Sequence, residues 1–197
     1  MSRPATFLPT PGRTGMRRLE RTHLFETPAA YDDPLEMLLG AHRRIEKALE
    51  TLKRLRVHVE SRGVDAQASA DAQALLAYFR QAAEKHHRDE EHDVFPLLES
   101  RIDDPGEQAR FRAFRESLHQ DHRALQLAWG RLRKPLEGIG EGLVRALPQQ
   151  DVEAFVGAYV HHIVTEETSL KEFFDRWLDD GDRRALCRAM VSRRSAG

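Results

Sequence analysis

Residues 159–173 read Tyr-Val-His-His-Ile-Val-Thr-Glu-Glu-Thr-Ser-Leu-Lys-Glu-Phe, and the spacing of their apolar side chains predicts a helix. Apolar residues recur at steps of three and four around His162 and Glu166, which is the period of one face of an α-helix. Packing that face into a core would bury an imidazole and a carboxylate, and buried charges are usually paired or bound to metal. The predicted face consists of Val152, Phe155, Tyr159, His162, Glu166, Leu170, Phe173 and Trp177.

Two helices upstream are marked by residues typical of helix ends. The first begins at Asp33-Pro34, an aspartate cap followed by a proline suited to the first helical position, and ends near residue 61 before Gly63. The third begins in the same way at Asp104-Pro105, and Pro135 is predicted to close it near residue 134. Residues 136–147 then form the longest internal connection.

The second helix follows a polar loop at 64–70 and spans about 71–102, with a kink expected just beyond Glu91 because Pro96 lies inside it. The fourth spans about 148–179. Four long amphipathic helices with short links predict an all-α fold, an up-down-up-down antiparallel four-helix bundle. The predicted organisation is an irregular N-terminal arm at 1–31, the bundle at 32–179 and a short C-terminal tail helix at 180–197, with its arginines in solvent.

Composition indicates an ordinary globular protein. The 197 residues carry a formal net charge of −1, which gives no overall electrostatic reason to expect binding to nucleic acid or to a membrane. Cys187 is the single cysteine, so an internal disulfide is excluded and a reducing compartment is favoured. No secretory segment and no apolar run of 18 residues is found, and a cytoplasmic location is expected.

The four predicted helices form two related pairs. Each pair supplies one histidine and then a His-x-x-x-Glu motif, and counting from the turns at 1.5 Å per residue puts all four histidines in one layer of the bundle. Such a set matches a dinuclear metal site, and a mixed nitrogen and oxygen set with open positions fits non-haem iron best. The predicted metal ligands are His42, His87, Glu91, His122, His162 and Glu166.

The choice on the second helix rests on an ambiguous register. Upstream apolar residues favour His86 and Glu90 as the inward pair, whereas those downstream favour His87 and Glu91, and the match to the fourth helix selects the latter. A further group consists of candidates for additional ligation or for hydrogen bonds to the ligands, with a solvated, rim or core role as the alternative for each. Its members are Glu46, His86, Glu90, His119 and Tyr159.

The arrangement resembles the hemerythrin-like, or HHE cation-binding, family over about 33–179. The motifs that carry the resemblance are Leu39-Gly40-Ala41-His42-Arg43, His87-x-x-x-Glu91 with Val94-Phe95-Pro96, Asp121-His122 and His162-Ile163-x-x-Glu166. The resemblance implies two iron ions in an oxo- or hydroxo- and carboxylate-bridged centre that reacts with oxygen, nitric oxide or peroxide. It also implies that the four histidines are terminal ligands and that Glu91 and Glu166 bridge.

The pattern departs from that of the oxygen-carrying members, which have two histidines four residues apart on the third helix and a bridging aspartate on the fourth. It is nearer to bacterial members linked to oxidative and nitrosative stress. Three functions follow as alternatives: a protein that binds or reduces a small ligand for sensing, detoxification or iron handling; an iron-donating or iron–sulfur cluster repair factor with a protein partner; and an interaction bundle whose site is empty or holds zinc. Whether a substrate is turned over, and the oligomeric state, are left open.

Overall fold

The computed structural model describes residues 33–144 and 146–195, so the predicted arm at 1–31 lies outside the described residues. All regular structure within these ranges is helical. None of the described helices has both the length and the apolar character that crossing a membrane requires. The elements are α1 (Pro34–Arg62), α2 (Ala66–Asp89), a π-helical turn (Glu90–Val94), α3 (Phe95–Arg101), α4 (Pro105–Gly140), α5 (Gln149–Trp177) and α6 (Asp180–Ser195).

The four long helices pack as a bundle. Helix α1 contacts α2 and α5, and α4 contacts the same two helices from the other side. Two clusters of buried apolar side chains fill the interior, one built around Leu52, Leu75 and Leu132 and the other around Leu38 and Phe173. The all-α prediction is confirmed, while the alternating up-down direction of the four helices stays a prediction.

Helix starts follow the predicted cap chemistry. The Asp33 carboxylate accepts a hydrogen bond of 2.8 Å from the Leu35 N–H, and Asp104 accepts one of 2.8 Å from Glu107. An unforeseen cap at Asp65, which accepts from the Ala68 N–H at 2.8 Å, starts α2 at Ala66. The predicted polar loop at 64–70 is therefore wrong in length, because a short polar side chain satisfies the helix N-terminus earlier than expected.

Helix α4 does not end before Pro135. It continues to Gly140 with the proline inside it, although a proline removes one backbone hydrogen bond and crowds the preceding turn. Leu136 and Ile139 are fully buried in the apolar cluster beyond the proline. Their burial offsets the local cost, so the predicted end at residue 134 and the long connection at 136–147 are wrong.

The second predicted helix is interrupted by the π-helical turn. The Phe95 N–H donates to the carbonyl of Glu90, five residues back, just ahead of Pro96, which has no N–H. The wide turn accommodates one extra residue and changes the helical phase. Leu75 upstream and Leu98 downstream are consequently both buried, so the two registers that compete in the sequence are both satisfied, on either side of the turn.

Helix α6 packs on α1, α2 and the π-helical turn. Leu186 and Met190 are buried in the second apolar cluster. Arg193 lies 3.2 Å from the buried carboxylate of Asp89 and 2.7 Å from Asp93. The expectation that the arginines of this helix are all solvated is therefore wrong for Arg193, which contacts both the end of α2 and the π-helical turn. It is also wrong for Arg183, which lies 3.4 Å from Asp33 and 3.0 Å from Asp175.

Candidate metal centre

A group of four buried ligand-type side chains lies where α1, α2 and α5 meet. One nitrogen or oxygen atom from each lies within 4.8 Å of those from the others. All four residues are 0–1% exposed, so the group is shielded from solvent. α1 contributes His42, α2 contributes His86, and α5 contributes His162 and Glu166 one turn apart.

Two fully buried carboxylates lie between imidazoles of different helices. Glu166 Oε2 is 3.2 Å from His42 Nε2 and 3.4 Å from His162 Nε2. Glu90 has Oε1 at 2.9 Å from His86 Nε2 and Oε2 at 3.1 Å from His122 Nε2. Each carboxylate thus lies within 3.4 Å of imidazoles from two different helices.

Two further groups adjoin the first one towards α4. His87, His122 and His162 form one of them, with the rings of His87 and His122 stacked at a centroid distance of 4.0 Å. Glu91, His119 and His122 form the other, nearer to the surface. His122 and His162 therefore link the buried interior to the half-buried edge of the site.

The structure brings most of the sequence-predicted residues together. At the end of α2, however, it buries Glu90 instead of the predicted Glu91. His42, His122, His162 and Glu166 lie in the site, and His87 lies beside it. Glu90 takes the buried position expected for Glu91, whose side chain is 32% exposed. The reason is the π-helical turn. The face of α2 that buries Leu75 and His86 continues as far as Glu90, and the inward face shifts by one residue only after that.

Of the other candidates, His86 and Glu90 belong to the interior and His119 lies at the edge. Glu46 is exposed and is not part of any of these groups. Tyr159 is buried, with its ring 6.3 Å from that of His87 and 6.4 Å from that of His162. It forms part of the wall next to the histidines.

The outward nitrogens of two imidazoles are held by carboxylates. His42 Nδ1 lies 2.8 Å from Glu167 Oε1, and His122 Nδ1 lies 2.6 Å from Glu91 Oε1. Carboxylates in this position fix the orientation of a metal-binding imidazole and raise its basicity. Sequence reasoning missed Glu167, and the signal for it was its position directly after Glu166. Glu91, which was predicted to face inward, instead contacts the outer nitrogen of His122.

Buried polar atoms without an aligned hydrogen bond are concentrated in this region. Among the described residues they include both ring nitrogens of His86 and of His162, both carboxylate oxygens of Glu90, and Glu166 Oε1. The short contacts of Glu90 lack the angles of hydrogen bonds. Leaving buried polar atoms unsatisfied costs about 1–3 kcal/mol for each. Metal ligation would satisfy the carboxylate oxygens and one nitrogen of each imidazole, so the donor set fits bound cations.

The pKa values of the imidazoles are raised for two of them and lowered for two others. Burial opposes charge on His42, but the carboxylates of Glu166, Glu90 and Glu167 together outweigh it and raise the pKa to about 9. Burial also opposes charge on His122, but its contacts with Glu90 and Glu91 raise the pKa to about 9. Burial lowers the pKa of His162 to about 4, and burial together with the charge of His122 lowers that of His87 well below its ordinary value.

Burial alone would raise the pKa of Glu90, yet the charge of His86 and the contact with His122 hold it well below its ordinary value. The interior therefore holds an ionised carboxylate among imidazoles that are partly protonated when no metal is bound. A cation would replace those protons, since ligating imidazoles must be neutral.

Comparison with known proteins agrees with this geometry. The family model for the hemerythrin HHE cation-binding domain matches residues 33–174, which include every residue of the three groups. An uncharacterized protein of Haemophilus influenzae is 30% identical over 139 residues, covering 71% of this chain and 77% of that protein. With four helices delivering buried histidines and carboxylates to one layer, the chain belongs to the hemerythrin family of HHE cation-binding domains.

Proposed function

We propose that this protein holds two iron ions and binds or reduces a small ligand, namely oxygen, nitric oxide or peroxide. The observation that carries the proposal is the pair of fully buried carboxylates, each between imidazoles of two helices. Two shared carboxylates and several terminal imidazoles suit two cations better than one. The proposed ligands are His42, His86, Glu90, His122, His162 and Glu166, with His87 as a further candidate.

Iron held in this way would supply a change of oxidation state and an open position for the small ligand. The side chains of the chain have separate tasks around it. Glu90 and Glu166 offset the charge of the cations, and Glu91 and Glu167 orient the imidazoles of His122 and His42. The two apolar clusters flank the site and shield its buried side from water.

The buried position of the donor set supports a role in sensing, detoxification or stress response in which the metal is retained. The single cysteine supports a reducing compartment such as the cytoplasm. Iron donation to an iron–sulfur protein partner would instead require a metal that leaves readily, and an interaction bundle would require none. Fully buried ligands on three different helices favour retention, because the metal can leave only if the helices separate locally.

Metal content and spectroscopy test the proposal together. Full-length protein purified without chelator should contain about two irons per chain and show a ligand-to-iron charge-transfer band. His162→Ala should lose both signals. His161→Ala is the matched control, because that side chain is adjacent in sequence but exposed, and it should keep them.

The other outcomes discriminate between the alternatives. One zinc per chain, or no metal with unchanged folding, would contradict the di-iron proposal and support an interaction bundle. Two irons that pass within minutes to a weak chelator would support iron donation. Iron that stays in place and changes its absorption band on addition of nitric oxide or peroxide would support ligand binding.

A further inference from the structure

A cavity of about 570 Å³ opens at the surface beside α2, α4 and α5. His87 and His122 line it, so it reaches the edge of the candidate metal centre. One water molecule accounts for about 30 Å³ of liquid, so a diatomic gas or peroxide would fill only a small part of this space. The volume falls in the range of about 300–1,000 Å³ that is usual for sites of organic ligands.

The inner wall of the cavity is aromatic. Phe79 lies 5.1 Å from Trp129 and 5.1 Å from Phe155 between ring centroids, and Phe155 lies 5.0 Å from Tyr159. Trp129 is half-buried, so part of its indole faces the cavity. Aromatic rings bind flat aromatic partners in offset or edge-to-face arrangements, which favours a planar ligand over an aliphatic one.

The mouth of the cavity is rich in guanidinium groups. Four arginines line it against two glutamates, Glu84 and Glu91. The arginines are exposed and each has an acidic neighbour, as in the contacts of Arg123 with Glu116 at 3.3 Å and Arg133 with Glu137 at 3.5 Å. Exposed ion pairs of this kind contribute little to folding stability. The carboxylate of a ligand can therefore replace the acidic side chain that now pairs with the arginine. The four are Arg80, Arg88, Arg123 and Arg133.

We propose that this cavity is a binding site for a planar aromatic acid. Its ring would lie against Trp129, its carboxylate would meet the arginines at the mouth, and its far edge would face His87 and His122. The arrangement gives the candidate metal centre a neighbouring site for an organic molecule, in addition to the small ligand expected at the metal. Binding does not require the metal, so this proposal stands or falls separately from the di-iron proposal.

Calorimetric titration of full-length, metal-free protein with 2-naphthoate tests the site. Trp129→Ala should weaken binding about tenfold through the loss of one aromatic contact and its area. The double variant Arg123→Gln/Arg133→Gln should weaken naphthoate at least about threefold while leaving binding of neutral 2-naphthalenemethanol unchanged. Arg112→Gln, an exposed arginine that does not line the cavity, is the control and should bind like the unaltered protein.

A second readout locates the ligand. In Trp177→Phe protein Trp129 is the only tryptophan left, and its emission should be quenched along the same saturation curve as the calorimetric signal. Octanoate, an aliphatic acid, should bind more weakly than naphthoate. The proposal is overturned if naphthoate does not saturate, if octanoate binds equally well, or if both the Trp129 variant and the arginine double variant bind naphthoate like the control.

Discussion

At the scale of single residues, the site depends on which of two adjacent glutamates faces inward. Glu90 is fully buried between His86 and His122, whereas Glu91 is partly exposed and contacts the outer nitrogen of His122. The two side chains have the same chemistry and differ only in position. They therefore form a matched pair for mutation.

Glu90→Gln should abolish binding of at least one iron, because it removes a charged ligand that would lie between two imidazoles. Glu91→Gln should keep the iron and weaken its affinity about 10–100-fold, the usual effect of losing an outer hydrogen-bond partner. Elemental analysis and competition with a chelator measure the two effects, and circular dichroism verifies the folding of both variants. The reverse ranking would show that the register expected from the sequence, with Glu91 inward, is the functional one.

Protonation of single histidines should also control the stability of the metal-free protein. His42 and His122 have pKa values of about 9 in the folded chain against an ordinary value of 6.5. A raised pKa contributes stability that is fully present below pH 6.5 and is lost as the pH rises through about 9. The lowered pKa values of His162 and His87 act in the other direction, costing stability as the pH falls below 6.5.

Urea unfolding of metal-free protein should therefore show greatest stability near pH 6–7 and a decline from pH 7 to about 9. The double variant His42→Gln/His122→Gln should show a flatter profile across that alkaline interval. If the free energy of unfolding of the unaltered protein rose between pH 7 and 9, the raised pKa values of His42 and His122 would be contradicted.

At the scale of elements, helix α4 carries an internal proline that its sequence does not need for capping. Pro135→Ala would restore a backbone donor and remove the contact of the ring with the preceding turn. We expect the variant to be more stable by about 1–3 kcal/mol, less than the full proline penalty because the backbone has adapted. Denaturant unfolding measures this, with Leu136→Ala as the opposite case, destabilised by about 2–5 kcal/mol through the cavity it leaves.

The helix starts at Asp33 and Asp104 were predictable from sequence because a cap depends on a few neighbouring residues. The continuation of α4 past Pro135 was not, because it depends on burial of Leu136 and Ile139 against other helices. The sequence leaves two registers open on α2, because the choice between them depends on the change of helical phase at the π-helical turn. His42, His122 and His162 of the predicted set lie in the groups of ligand-type side chains, while His86 takes the inward position expected for His87.

At the scale of the whole molecule, the candidate metal centre separates two apolar clusters. Each cluster has its own large buried side chains, such as Phe155 in one and Phe111 in the other. The fold should therefore survive loss of the metal, although the buried carboxylates would then lose a partner. Helix α6 adds a further layer over α1 and α2.

Removing the metal with a strong chelator should leave the helical content unchanged and lower the Tm. A ligand present at about 100 times its Kd stabilises by about 2.7 kcal/mol, which for a chain of this size corresponds to roughly 5–10 °C. Differential scanning calorimetry with and without iron measures the shift. His162→Ala should show none, and complete unfolding on chelation would mean that the two apolar clusters cannot hold the bundle together by themselves.

The wide turn at Glu90–Val94 also bears on how this chain aligns with its relatives. One residue corresponds to about 100° of helical rotation, so a relative with a regular helix here would need one residue fewer to present the same side chains. An alignment of the two would show a gap of one position before Pro96. Loss of a single codon within Glu90–Val94 would turn this segment into a regular helix and leave Phe95 and Leu98 in the core, so its length can change by one residue without changing which side chains on either side are buried.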